Sequence, residues 1–148
     1  MQKIATFIGH SRCYDIDITR LREAIETLVK QGVSEFLCGG MGAFDNICAS
    51  TVKGLKKEYN VKITLVIPYL SFQILNPEYY DEILYPEGFE KYHFKAAIGK
   101  RNRYMVEKSS VAVCYVNSIS NGAGKTYEYA KKQNVEIINL GKYKGSLV

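Results

Sequence analysis

Five short apolar runs, each closing on a glycine, proline or asparagine, alternate with helix-length segments and restrict what this chain can fold into. The runs are Ile4-Ala5-Thr6-Phe7-Ile8 before Gly9, Glu35-Phe36-Leu37-Cys38 before Gly39-Gly40, Val61 to Ile67 before Pro68, Val111 to Val116 before Asn117, and Val135 to Leu140 before Gly141. Their apolar residues are mostly continuous, as in strands buried on both faces of a sheet. Between the first two runs, Ile18, Leu21, Ile25, Leu28 and Val29 recur at helical spacing, with Asp15 or Asp17 as cap and Gly32 as stop. Asp45 is placed to cap a second helix through Ile47, Ala49, Val52 and Leu55 to Tyr59. A third helix is expected from His93 to Lys108, with Ala97, Tyr104 and Met105 turned inward, and a fourth from about Lys125 to Gln133.

Strand and helix alternating in this way give a parallel sheet with crossover helices. The expected fold is α/β: a Rossmann-like, doubly wound, mainly parallel sheet of about five strands in a three-layer αβα domain over residues 1–148. The segment from Pro68 to Tyr92 holds all three prolines and many tyrosines. It is expected to form an insertion at about 68–92, beside the site or at an oligomer contact.

Composition narrows the function classes. Twenty Lys+Arg against fifteen Asp+Glu leave a net charge of +5, which suits an anionic small ligand and makes nucleic acid an unlikely partner. No apolar run reaches the ~18 residues needed to cross a bilayer, and the N-terminus has no signal-peptide cleavage pattern. Cys13, Cys38, Cys48 and Cys114 avoid CxxC spacing, and His10 and His93 are the only histidines. The expectation is therefore reduced thiols in a cytoplasmic protein, with no metal and no cofactor. Cys13 with His10 is a further candidate nucleophilic pair, in need of an oriented base.

In an open parallel sheet, ligands bind beyond the carboxyl ends of the strands. Three loops leave strands at that edge: Gly9-His10-Ser11-Arg12, Gly39-Gly40-Met41-Gly42-Ala43-Phe44-Asp45, and Asn121-Gly122-Ala123-Gly124-Lys125-Thr126-Tyr127-Glu128. Glycines let backbone approach a ligand, and the helix that follows offers unpaired N–H groups to an anion. Neither common nucleotide motif fits. A P-loop ending at Gly124-Lys125-Thr126 would need its first glycine at Ile119, and GxGxxG fails at Tyr127 or at Asp45. A basic segment, Lys100-Arg101-Asn102-Arg103, adds two arginines that point in different directions on a helix.

These four segments, with Thr6-Phe7-Ile8-Gly9-His10 and Arg101-Asn102-Arg103-Tyr104-Met105-Val106 among them, resemble the SLOG superfamily, and within it the YpsA-like group of small bacterial and phage Rossmannoid proteins. The similarity runs from about Lys3 to Leu140 and omits the Tyr-rich connection. The superfamily includes the Lonely Guy (LOG) phosphoribohydrolases, with the motif PGGxGTxxE, and the DNA-processing protein DprA. Gly122, Gly124 and Glu128 match that motif, whereas Ser120 and Asn121 replace its proline and first glycine, Lys125 replaces its threonine, and Thr126 follows one step late.

The resemblance implies a nucleotide or nucleotide-derived ligand, of ADP-ribose or nucleoside monophosphate type, held by a sensor or sequestering protein. Its ligand shell would draw on Gly9, His10, Arg12, Gly39, Gly40, Gly42, Asp45, Arg101, Arg103, Asn121, Gly122, Gly124, Lys125 and Thr126. Asp45 either only caps its helix or also accepts from a ribose hydroxyl. Two alternatives are a LOG-like hydrolase, with Glu128 as acid/base and Arg101 or Arg103 beside it, and a DprA-like nucleic-acid-binding module. A homodimer or larger homo-oligomer is also expected.

Overall fold

The computed structural model describes residues 3–119 and 121–144. In chain order they form β1 (Lys3–Gly9), α1 (Ile18–Lys30), β2 (Val33–Cys38), α2 (Ala43–Leu55), β3 (Lys62–Val66), β4 (Glu82–Leu84), α3 (Phe94–Lys108), β5 (Val111–Tyr115), α4 (Gly122–Lys132) and β6 (Glu136–Asn139). The sheet runs β4-β3-β2-β1-β5-β6. Every pairing is parallel.

Side chains alternate across the strands with period two and so divide the core into layers. Ala5 and Phe7 of β1, with Val111, Val113 and Tyr115 of β5, pack with Leu21, Ile25, Leu28, Phe44 and Val52 from α1 and α2. Ile8, Ala112 and Cys114 point the other way, onto Val106, Tyr127 and Ala130 from α3 and α4. Leu37 and Val66 close that second layer against Met105. Phe7 stacks on Phe36, with ring centroids 5.2 Å apart. The winding reverses between the adjacent strands β1 and β5, which opens a crevice at their carboxyl ends.

Local signals set most of the boundaries. Asp17, not Asp15, caps α1 by accepting from Arg20 N at 3.2 Å, and Gly32 ends it with φ +107°. His93 caps α3, its Nδ1 accepting from Lys95 N. Three expectations need correction. Asp45 is not the cap of α2: Gly42 holds that position, and Asp45 sits in the first turn with its Oδ2 accepting from Met41 N at 2.9 Å. Helix α4 starts three residues before Lys125, because Asn121 caps it by accepting from Gly124 N. Finally, the 68–92 segment contributes a sixth strand. β4 is held by Ile67 N donating to Leu84 O and Asp81 N to Ile63 O, while Asp81 Oδ2 accepts from Ile63 N. Three residues are too few to show a period, so β4 was invisible to hydropathy. Among the described residues, no helix is long and apolar enough to cross a membrane.

Candidate functional site

The crevice at the carboxyl ends of β1 and β5 holds a cavity of about 230 Å³. Its walls come from Gly9, His10 and Ser11 after β1, Met41 and Asp45 at the start of α2, Ile98, Arg101, Asn102 and Met105 along α3, and Asn121, Gly122, Ala123 and Thr126 at the start of α4, over a floor of Phe7 and Ile8.

Arg101 organises one side. It is 2% exposed, although a guanidinium is rarely buried without partners. One terminal nitrogen donates to Gly39 O and Val66 O, each at 2.9 Å, bridging the chain just past β2 to the end of β3. Nε donates to Asn102 Oδ1 at 2.9 Å. Among the described residues, the hydrogen-bond partner of the other terminal nitrogen is the Met41 thioether at 3.1 Å, a weak acceptor, so donor capacity remains at the cavity wall. This side chain packs closely on Gly39, where a Cβ would stand 3.0 Å from the guanidinium carbon and push it aside by a few tenths of an ångström.

Asp45 faces the same cavity from α2 and is 8% exposed. Its Oδ2 is used by Met41 N, and among the described residues Oδ1 has no hydrogen-bond donor. Burial raises its pKa to about 6, against the pull of the Met41 N–H and of the Arg101 charge. Burial likewise lowers the pKa of Arg101, opposed by Asp45. Gly42 sets the entry to α2 with φ +90°, and a Cβ there would fall 2.5 Å from Ser11 Cα, so the loops after β1 and β2 touch only because the residue is glycine.

Across the crevice, α4 presents its N-terminus. The first N–H groups of a helix lack partners within it. Asn121 takes those of Gly124, through Oδ1, and Lys125, through its carbonyl. Among the described residues, the N–H groups of Gly122 and Ala123 have no acceptor, and both residues line the cavity. His10 ties this end to β5: Nε2 accepts from Asn117 N at 2.8 Å, and the Asn121 amide nitrogen lies 2.9 Å from Nδ1. A neutral imidazole has one acceptor nitrogen, so it satisfies one of these two donors at a time. With Nε2 accepting from Asn117 N, Nδ1 carries the proton, and the Asn121 amide N–H groups, held in place by the Oδ1 cap on Gly124 N, keep donor capacity beside the cavity. Burial lowers the pKa of His10, consistent with a neutral anchor. Asn121→Ala is expected to cost about 1 kcal/mol of stability through loss of the cap, measured by denaturant unfolding.

Of the residues singled out from sequence, the fold gathers Gly9, His10, Asp45, Arg101, Asn121, Gly122 and Thr126 around the cavity. Gly39, Gly40, Gly42 and Gly124 shape the neighbouring turns without lining it. Arg12 and Lys125 are exposed away from its walls. Arg103 lies outside the cavity with its guanidinium 5.0 Å from the Tyr129 ring. Glu128 also lies outside and accepts from the Tyr143 hydroxyl. At 100° per residue, Glu128 is turned about 200° around the helix from Thr126, which lines the cavity, and so points elsewhere. Ser120 falls outside the described residues. Cys13 is buried, and burial raises its thiol to about 11, unsuited to nucleophilic attack. Ser11, Met41, Asn102 and Ala123 fall within segments read from sequence as ligand-facing without being named as ligand residues, and Ile98 was not singled out; the spacing of Ile98, Arg101 and Met105 on one helical face was the available signal.

A family model, YpsA, described as the YspA SLOG family, matches residues 7–144. No match among curated proteins reaches significance. Among solved structures, the chain is similar to DNA processing protein A from Helicobacter pylori, in work on its single-stranded DNA binding mode, with 18% identity and a TM-score of 0.65 over 93% of this chain and 64% of that one. It is also similar to DNA processing protein A (DprA) from Streptococcus pneumoniae, with 16% identity and a TM-score of 0.66 over 99% of this chain and 52% of that one. The chain therefore spans under two thirds of either protein, and at these identities the likeness concerns the fold alone.

Proposed function

The chain belongs to the YspA SLOG family, and from that premise we propose that its crevice binds a nucleotide-derived ligand through phosphate and ribose, as a sensor or sequestering protein. The observation that carries this reading is the meeting, in one cavity, of an anion-seeking end and a hydroxyl-seeking end. The Gly122 and Ala123 N–H groups, the Asn121 amide and the spare Arg101 nitrogen supply donors, and the α4 dipole favours negative charge beside them. Oδ1 of Asp45, without a donor among the described residues, is an acceptor that asks for a hydroxyl. A sugar phosphate answers both. A cavity of about 230 Å³ is below the ~300–1,000 Å³ usual for drug-sized ligands, so it suits the sugar-phosphate portion and leaves a base outside. That Glu128 accepts from the Tyr143 hydroxyl and does not line the cavity supports ligand holding over the hydrolase alternative.

Calorimetric titration with AMP, ribose 5-phosphate, ADP-ribose and a single-stranded oligonucleotide, followed by chromatography of the mixtures, tests this reading. The expected result is saturable binding of AMP and ribose 5-phosphate with no release of free base. Base release abolished by Glu128→Gln would instead establish the hydrolase. Oligonucleotide binding with a steep salt dependence, and no binding of the small ligands, would establish the nucleic-acid module.

A further inference from the structure

The cavity-facing stripe of α3 does not end at the cavity. Ile98, Arg101, Asn102 and Met105 line it, and Phe94 continues the same face one turn toward the helix N-terminus, about 6 Å beyond Ile98. Met105 packs against Leu37 and Val66, and Arg101 bridges to the chain at the ends of β2 and β3, so the stripe passes from buried side chains at the cavity to an exposed one at Phe94. Phe94 is 60% exposed, unusual for a phenylalanine in a well-formed helix. It is not isolated. The Tyr69 ring meets it edge to face at 6.0 Å, Phe72 meets Tyr69 at the same distance, and His93 lies 5.4 Å away. Phe72 also sits 5.8 Å from the Arg101 guanidinium, joining this aromatic group to the cavity wall.

Resting on the ligand reading above, we infer that Phe94, with Tyr69 and Phe72 behind it, is a stacking shelf for the nucleobase of a ligand whose sugar phosphate occupies the cavity. Three observations converge on this occupant. The cavity is too small for the whole ligand; the shelf is continuous with it along one helix face; and a flat, exposed ring backed by further rings suits a planar aromatic partner. The shelf offers ring faces and no base-edge code, so it selects for a base over none and discriminates weakly between bases.

The test compares AMP with ribose 5-phosphate on the intact chain, wild type and Phe94→Ala. An exposed residue in a first turn is replaceable without unfolding the domain, and Phe94→Tyr keeps a ring as control. Removing one stacking ring is expected to weaken AMP binding about tenfold, with ribose 5-phosphate unchanged and Phe94→Tyr close to wild type. An equal effect on both ligands, or on neither, overturns the shelf while leaving the ligand reading intact. If wild type binds neither ligand, both readings fall. If Phe94→Ala dissociates a dimer by sedimentation and leaves AMP affinity unchanged, the face is a contact between copies of the chain and the shelf is overturned.

Discussion

Arg101→Ala is expected to lower folding stability by about 3–5 kcal/mol, the largest effect of any single substitution at the site. Three losses combine. The carbonyls of Gly39 and Val66 lose their shared donor; each buried polar group left unpaired costs roughly 1–3 kcal/mol. The buried Asp45 loses the nearby positive charge that offsets its desolvation. A side chain that is 2% exposed also leaves a void between α3 and the sheet. Arg101→Lys keeps the charge and one terminal donor group for the two carbonyls but loses the Nε–H bond to Asn102 Oδ1 and the volume of the planar guanidinium, so an intermediate loss of about 2 kcal/mol is expected. Urea unfolding at pH 7 measures both. A loss under about 1 kcal/mol for the alanine variant would mean that the arginine is not the tie between β2 and β3 that the geometry describes.

Asp45→Asn is expected to stabilise the protein near pH 8 by up to about 3 kcal/mol while weakening its ligand about tenfold or more. The carboxyl has a pKa of about 6 in the native state against an ordinary 3.8. The folded protein therefore holds this proton more tightly than the unfolded chain. The resulting stability is fully present below pH 3.8 and is lost as pH rises through 6. Asparagine is neutral throughout, and its side-chain oxygen still accepts from Met41 N, as Asp45 Oδ2 does. The difference in unfolding free energy between variant and wild type should thus grow from pH 4 to pH 7 and then level off. The loss of binding follows because, with the amide oxygen on Met41 N, the group left facing the cavity is the NH2, which donates and cannot accept from a ligand hydroxyl. A variant less stable than wild type at every pH would contradict this account. A buried charge that costs stability and is aimed into a cavity is the expected signature of a group kept for function.

The fold was legible where apolar runs were long enough to show a period, and the glycine turns after β1 and β2 marked the edge where the cavity lies. What escaped the sequence had physical reasons. β4 is three residues with Ile83 exposed and only Leu84 turned toward the core, which leaves no pattern. The start of α4 was placed late because Gly122 and Gly124 weaken a helix, whereas the Asn121 cap offsets that cost at the terminus. Arg101 and Arg103 were indistinguishable by type; burial separates them, and burial depends on which face of α3 meets the ends of β2 and β3. Glu128 was chosen on a motif match with Gly122 and Gly124; its carboxylate accepts from the Tyr143 hydroxyl and is not among the groups that line the cavity, a packing relation the motif does not encode.

The claim that the α4 N-terminus and the turn after β1 receive a phosphorylated sugar is tested most directly by NMR of glycine-selectively ¹⁵N-labelled protein titrated with ribose 5-phosphate. Saturable shifts of the Gly122 and Gly9 amides are expected, with Gly32 and Gly54 unmoved. Spectra that stay unchanged at saturating ligand, or that change only at those two remote glycines, would contradict the claim.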